Sequence, residues 1–165
     1  MNIFINKLKY RNTKLFFILT IFIFTISGCK IYSFSITSLP KEVKSYFLEP
    51  FISTTPNYIS TKIIQSITNN LQDKLNGIGL INSENGDIQF KGSITKYKID
   101  SKGEINEIQI SLNIEYIDYE KKKHNFPITK FKQLPVGDSE PSQTIIGELV
   151  NEITEEIFNN TISKW

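Results

Sequence analysis

Apolar and polar positions repeat along this chain with periods that change from segment to segment, and each period predicts an element. Val43, Tyr46, Phe47, Leu48 and Phe51, stopped by the Pro50 and Pro56 region, predict a first strand over Val43 to Phe51. Ile63, Ile64, Ile67, Leu71 and Leu75 follow at spacings of three and four, which predicts an amphipathic helix over Ser60 to Leu75, capped by Ser60 and ended by Gly77. From Asp87 the period becomes two: Ile88, Phe90, Gly92 and Ile94 point one way, and Gln89, Lys91, Ser93 and Thr95 the other. The parity then swaps at Tyr97 and Ile99, the mark of a bulge or of a strand whose second half leaves the core face.

Ile108, Ile110, Leu112, Ile114 and Tyr116 alternate through the next strand, and Phe126 to Phe131 returns after the polar turn from Lys121 to His124. That pair predicts a long antiparallel hairpin. After Asp138, Ser139 and Pro141, residues of helix-start type, Ile145, Ile146, Leu149, Val150, Ile153, Ile157, Phe158 and Ile162 form one stripe, with Glu148, Glu152, Glu155 and Glu156 on the other face. Burying each such side chain is worth ~1.5–3 kcal/mol, so the stripe should dock on the sheet. The order predicts an α+β two-layer sandwich, with two helices packed on one face of a four-stranded, mostly antiparallel sheet.

The N-terminal segment has a different pattern. Lys7, Lys9, Arg11 and Lys14 precede an apolar run from Leu15 to Ile26, then small residues, the order of an export signal. The run of about twelve residues is shorter than the ~20 that a membrane-spanning helix needs. It ends Ile26-Ser27-Gly28-Cys29, which resembles the lipobox cut just before a cysteine that then carries acyl chains. Cys29 is the single cysteine, so it has no disulfide partner within the chain. The expected organisation is a signal peptide over 1–28, a lipidated tether over 29–40 and one domain over 41–165. Lys30 in place of Asp after the cysteine favours the outer membrane by the commonest sorting rule.

Loss of the signal removes four basic residues, from 19 to 15 against 17 acidic ones, and moves the formal charge from +2 to −2. Nucleic acid is not expected as a partner, because the mature chain has no net attraction for phosphate. Catalytic equipment is sparse: one histidine, His124, in a Lys-rich turn, and a cysteine assigned to lipid. There is no glycine-rich phosphate loop, nucleophile elbow or metal spacing of His and Cys. A non-enzymatic protein without cofactor or metal is the expectation.

Three stretches together resemble the LptE family of lipoproteins, in its short-domain version. They are Gly28-Cys29 followed by Tyr32-Ser33-Phe34, Ser38, Pro40 and Val43-Lys44; Asp87 to Ile94 through Tyr97; and Ile157-Phe158-Asn159 with Trp165. The loop Ser53 to Pro56 and the segment Asp100 to Glu104 depart from the family pattern. The resemblance implies a plug and assembly partner of an LptD-like outer-membrane β-barrel that contacts lipopolysaccharide at the periplasmic face of the outer membrane. Lys96 and Lys98 share one face by the strand period, as do Lys130 and Lys132; if the strands are neighbours, four ammonium groups would cluster to attract phosphorylated lipid A. A solvated sheet face with scattered lysines accounts for the same pattern. Tyr32, Phe34, Tyr46 and Phe47 form a second candidate surface against a barrel wall, or core. The other function in view is an auxiliary lipoprotein of an envelope transporter or a regulator of a cell-wall synthase; a periplasmic hydrolase would need a serine and a carboxylate converging on His124.

Overall fold

The computed structural model describes residues 39–54, 58–103 and 105–164. The signal, Cys29, Tyr32, Phe34 and most of the tether lie outside the described residues. The elements are β1 (Ser45–Leu48), β2 (Ile52–Ser53), α1 (Tyr58–Gly77), β3 (Ile81–Asn82), β4 (Ile88–Lys102), β5 (Ile105–Ile117), β6 (Lys123–Gln133) and α2 (Gln143–Thr161). They build an α+β fold in which β3-β1-β4-β5-β6 lie side by side, with β2 also paired to β4.

The sheet therefore has six strands, not the four expected. The first expected strand, Val43 to Phe51, shortens to β1, which stops before Pro50, a residue with no N–H to give to a ladder, and pairing resumes beyond it as β2. Phe51 turns inward there, and the Glu49 and Thr54 amides still reach the carbonyls of Phe90 and Ile94. β3 adds a two-residue ladder parallel to β1. The two long ladders, β4 with β5 and β5 with β6, are antiparallel as expected, whereas β1 and β2 run parallel to β4.

Of the two explanations for the parity swap in β4, the bulge is the one found. The register with β5 shifts between Ile94 and Lys96, leaving Thr95 exposed. The extra residue returns Tyr97 and Ile99 to the core side, where both pack against the main cluster. Gly92 sits beneath Phe51: a methyl group there would lie 2.5 Å from the ring.

Ser60 does not cap α1, which starts at Tyr58; it is fully buried, with its hydroxyl 3.3 Å from that of Ser53. Gly77 ends the helix as expected, and Gly79 turns the chain at φ +87°. α2 is capped by Ser142, whose hydroxyl accepts from the Ile145 amide. Its apolar stripe from Ile146 to Ile162 joins Ile63, Ile67, Leu71 and Leu75 of α1 and the inner residues of β4, β5 and β6 in one core. Asn70 bonds Asn151 and Lys74 bonds Glu155, a four-residue step on each helix in the same direction, so α1 and α2 pack parallel. Among the described residues no helix is long and apolar enough to cross a membrane.

Candidate functional site

Register places several element ends together. Tyr46 lies beside Ile88, Gln89 beside Ile117 and Ile117 beside Lys123, so the starts of β1, β4 and β6 and the end of β5 share one end of the sheet. At this end a cavity of about 520 Å³ is lined by Tyr116, Asp118, Glu120, Lys122, His124, Asn125 and Phe126 from the hairpin, with Asn160, Thr161 and Lys164 from the end of α2.

Asp118 organises the tip of the hairpin. Its carboxylate is buried and accepts from the Lys122 amide at 2.8 Å, closing the turn as an aspartate does in an Asx motif. Its other oxygen lies 2.8 Å from Nε2 of the half-exposed His124. The imidazole stacks on Tyr116 with centroids 5.9 Å apart, and Tyr116 in turn meets Phe90 at 5.1 Å. Burial pushes the Asp118 carboxyl up, but the hydrogen bonds from His124 and the Lys122 amide outweigh it and hold the group below the usual carboxylate range. At the same end, Asp87 accepts from the Lys44 and Ser45 amides, both at 2.9 Å, and from the Ser45 hydroxyl at 2.8 Å. The Lys44 amide and the Ser45 hydroxyl hold its carboxyl low, against the opposing effect of desolvation.

A carboxylate that orients an imidazole is part of what nucleophilic catalysis requires. The third member is a hydroxyl or thiol, and no serine lines this cavity among the described residues. Thr161 does line it, but its hydroxyl donates to the Ile157 carbonyl at 2.7 Å. Among the described residues no group of three or more His, Cys, Asp or Glu side chains is arranged to hold a metal ion.

The four lysines expected to cluster do not come together. β5 lies between β4 and β6, and the two pairs face opposite sides of the sheet. Lys96 and Lys98 stand opposite Ser111 and Gln109 on the outer face, with Lys98 paired to Asp100. Lys130 and Lys132 stand opposite the buried Ile110 and Ile108, on the helix side. There Lys130 pairs with Glu156 at 2.6 Å, and Lys132 with Glu148 at 2.8 Å and Glu152 at 3.2 Å. The bulge at Thr95 decides this, because it rotates the second half of β4 by one side-chain position. Three glutamates of the acidic face of α2, Glu148, Glu152 and Glu156, are thus partners for β6, and the fourth, Glu155, pairs with Lys74 of α1. Tyr46, offered as a barrel contact, is fully buried with its hydroxyl on Asn76, whereas Phe47 stays half-buried on the outer face.

The sequence singles out His124, and shows Tyr116 only as part of an alternating strand; Asp118, Asn160 and Lys164 carry no comparable pattern. The one available signal was an aspartate at the start of a turn, six residues before the histidine.

No protein-family model matches the sequence, and no curated protein matches it. Solved structures do resemble the fold. XCC0632 from Xanthomonas campestris, described as family-model DUF330, aligns over 73% of this chain and 85% of its own, with a TM-score of 0.55 and 8% identity. CT253 from Chlamydia trachomatis aligns over 72% of this chain and 95% of its own, with a TM-score of 0.51 and 8% identity. Lipoprotein GNA1162 from Neisseria meningitidis aligns over 70% and 99%, with a TM-score of 0.48 and 11% identity. The first two likenesses show a shared fold and, at such identities, the fold alone. Bacterial lipoproteins recur among the solved structures similar to this chain.

Proposed function

We propose that this chain is a non-enzymatic lipoprotein, anchored through acylated Cys29 at the periplasmic face of the outer membrane. There it acts in lipopolysaccharide transport and assembly as the LptE-like partner of an LptD-like β-barrel. The reading rests on the export signal ending at Cys29 and on the three stretches that resemble the family. The observation that carries it into the fold is the place of Asp87 to Tyr97. This stretch supplies the first half of β4, the strand to which β1, β2 and β5 all pair.

Both helices cover one face of the sheet, which leaves the other for a partner. That open face is mostly polar, with Gln89, Ser93, Gln109, Ser111, Asn113 and Thr129 beside the aromatic rings of Phe47 and Phe131, a composition compatible with a wet barrel lumen. Lipopolysaccharide contact is not assigned to a four-lysine cluster; Lys96 and Lys98 stay on the open face.

Affinity isolation of the full-length protein from detergent-solubilised envelopes tests the proposal. Co-purification of a large outer-membrane β-barrel in stoichiometric amount is expected. Recovery instead of an inner-membrane transporter complex or a peptidoglycan synthase would replace the proposal with the auxiliary or regulatory function, and recovery of the protein alone would refute the barrel partnership.

A further inference from the structure

The end of the domain that holds the hairpin tip is also the end where the chain enters from the tether. Leu39 packs on the core, Val43 donates to Pro40, and the Lys44 and Ser45 amides bind Asp87. Glu42 lies close enough to Tyr119 of the hairpin turn to raise the pKa of its phenol, an effect added to those of desolvation and the hydrogen bond to Glu120. Lys121 reaches from the same turn to the Asp87 carbonyl at 3.3 Å, and Lys164 closes the cavity beside the end of α2.

The charges on this end fall into two groups. Asp87 is occupied by backbone amides, Asp118 by His124 and Lys122, Glu120 by Lys122, and Glu115 by Lys123. Lys41, Lys44, Lys121 and Lys164 are exposed and have no ion-pair partner among the described residues. Of the exposed acids without such a partner, Glu42 shares this end, Glu84 lies on the flanking turn after β3, and Asp73 sits a turn before the end of α1. Among the described residues, four unpaired cations therefore face outward at this end against one unpaired acid on it, Glu42, while the Asp87 and Asp118 carboxylates are taken up by donors of the protein itself. The cavity opens in the same region and is large enough for a small polar molecule.

We propose that this end of the domain docks on the anionic phospholipid headgroups of the leaflet that carries the Cys29 anchor, through Lys41, Lys44, Lys121 and Lys164. The inference rests on the lipoprotein reading for its geometry. Ten residues, 29–38, separate the anchor from Leu39, and at ~3.3–3.6 Å each they confine this end to within about 35 Å of the bilayer. A lysine at an anionic surface contributes roughly a fivefold factor in partitioning, so four lysines opposed by the one charge of Glu42 give roughly a hundredfold. Anchoring then orients the domain: the hairpin tip faces the lipid, and the far end, with the start of α2, faces the periplasm.

The acylated protein, reconstituted in vesicles of phosphatidylcholine with or without about one third phosphatidylglycerol, is treated with an amine-reactive label and read by mass spectrometry. Protection of Lys41, Lys44, Lys121 and Lys164 in the anionic vesicles alone is expected, with Lys96 equally labelled in both. Equal labelling of the four in both vesicles, or protection of Lys96 instead, would overturn the proposal. Sedimentation of the unacylated mature chain carrying Cys29→Ser with the same vesicles separates the surface from the anchor. Binding to phosphatidylglycerol vesicles that falls at least tenfold on replacing the four lysines by Ser, and that inorganic phosphate at matched ionic strength does not displace, supports the docking surface. Binding unchanged in the four-lysine variant, no binding at all, or displacement by phosphate rejects it. An unmodified Cys29 in protein from cell envelopes would sink the lipoprotein reading while leaving this second measurement to judge the surface.

Discussion

Replacing Gly86 by Ala and Gly147 by Ala adds the same methyl group at two places, and the structure assigns the two changes opposite signs. Gly86 is buried against β1, where the new carbon would lie 2.2 Å from the Tyr46 carbonyl carbon and 2.3 Å from the Phe47 nitrogen. Both are backbone atoms in a paired strand, so relief requires β1 to move away by more than 1 Å to approach ordinary contact at ~3.5 Å. Such a movement pulls the Lys44 and Ser45 amides from Asp87 and the Ser83 amide from the Tyr46 carbonyl, now at 2.8 Å. Overpacking costs ~1–3 kcal/mol, and a weakened hydrogen bond to a charged group adds ~1.5–3 kcal/mol, so Gly86→Ala should cost roughly 3–5 kcal/mol. Gly147 lies in the interior of α2 with nothing within 4 Å of the added carbon. Alanine there gains the ~0.8–1 kcal/mol by which it exceeds glycine as a helix former. Urea unfolding of the mature chain, followed by circular dichroism, measures both. A Gly86→Ala protein within about 1 kcal/mol of the parent would refute this account of how Gly86 meets β1, and a destabilised Gly147→Ala protein would refute the open space beside α2.

Three further outcomes follow from single side chains. Asp118→Asn should destabilise by about 1–2 kcal/mol near neutral pH. A carboxyl held below its ordinary value contributes stability that is present above its unfolded-state pKa and lost as pH falls through the folded one, so parent and variant should converge in acid; a pH-independent gap in urea unfolding would contradict this. Tyr97 buries a hydroxyl without a hydrogen-bond partner among the described residues, so Tyr97→Phe should be neutral or stabilising by up to ~1 kcal/mol in thermal unfolding, and a clear loss would reveal a partner. Lys74→Ala removes the 2.6 Å pair with Glu155 and a cation 5.5 Å from the Phe158 ring; with both charged groups more than a quarter exposed, a loss of only ~0.5–1 kcal/mol is expected by urea titration, shrinking in high salt.

The periods of the sequence contain most of the elements. Two helices and the long hairpin are legible because each spans several repeats of one apolar period. The bulge in β4 is legible too, because a single extra residue inverts the side-chain alternation of everything after it. Short pieces were not legible: β2 and β3 are two residues each, and no period can be read from two residues. The start of α1 was misplaced because Ser60 has the chemistry of a cap, whereas its burial against Ser53 depends on β2, which is distant from the helix's own pattern.

The candidate site divides along the same line. The chain by itself determines that His124 is its one histidine, that Cys29 is its one cysteine, and that lysines recur at alternate positions of two strands. Only the tertiary structure decides which lysines meet. A strand intervenes, a bulge turns one pair outward, and the α2 glutamates neutralise the other. Tertiary structure likewise brings Asp118 to His124 and gathers the hairpin tip, the end of α2 and the incoming tether at one end of the sheet. The physical reason is range: periodicity reports contacts within a helical turn or along a strand, whereas charge pairing and cavities depend on strand order and register, which are set by burial of the whole core.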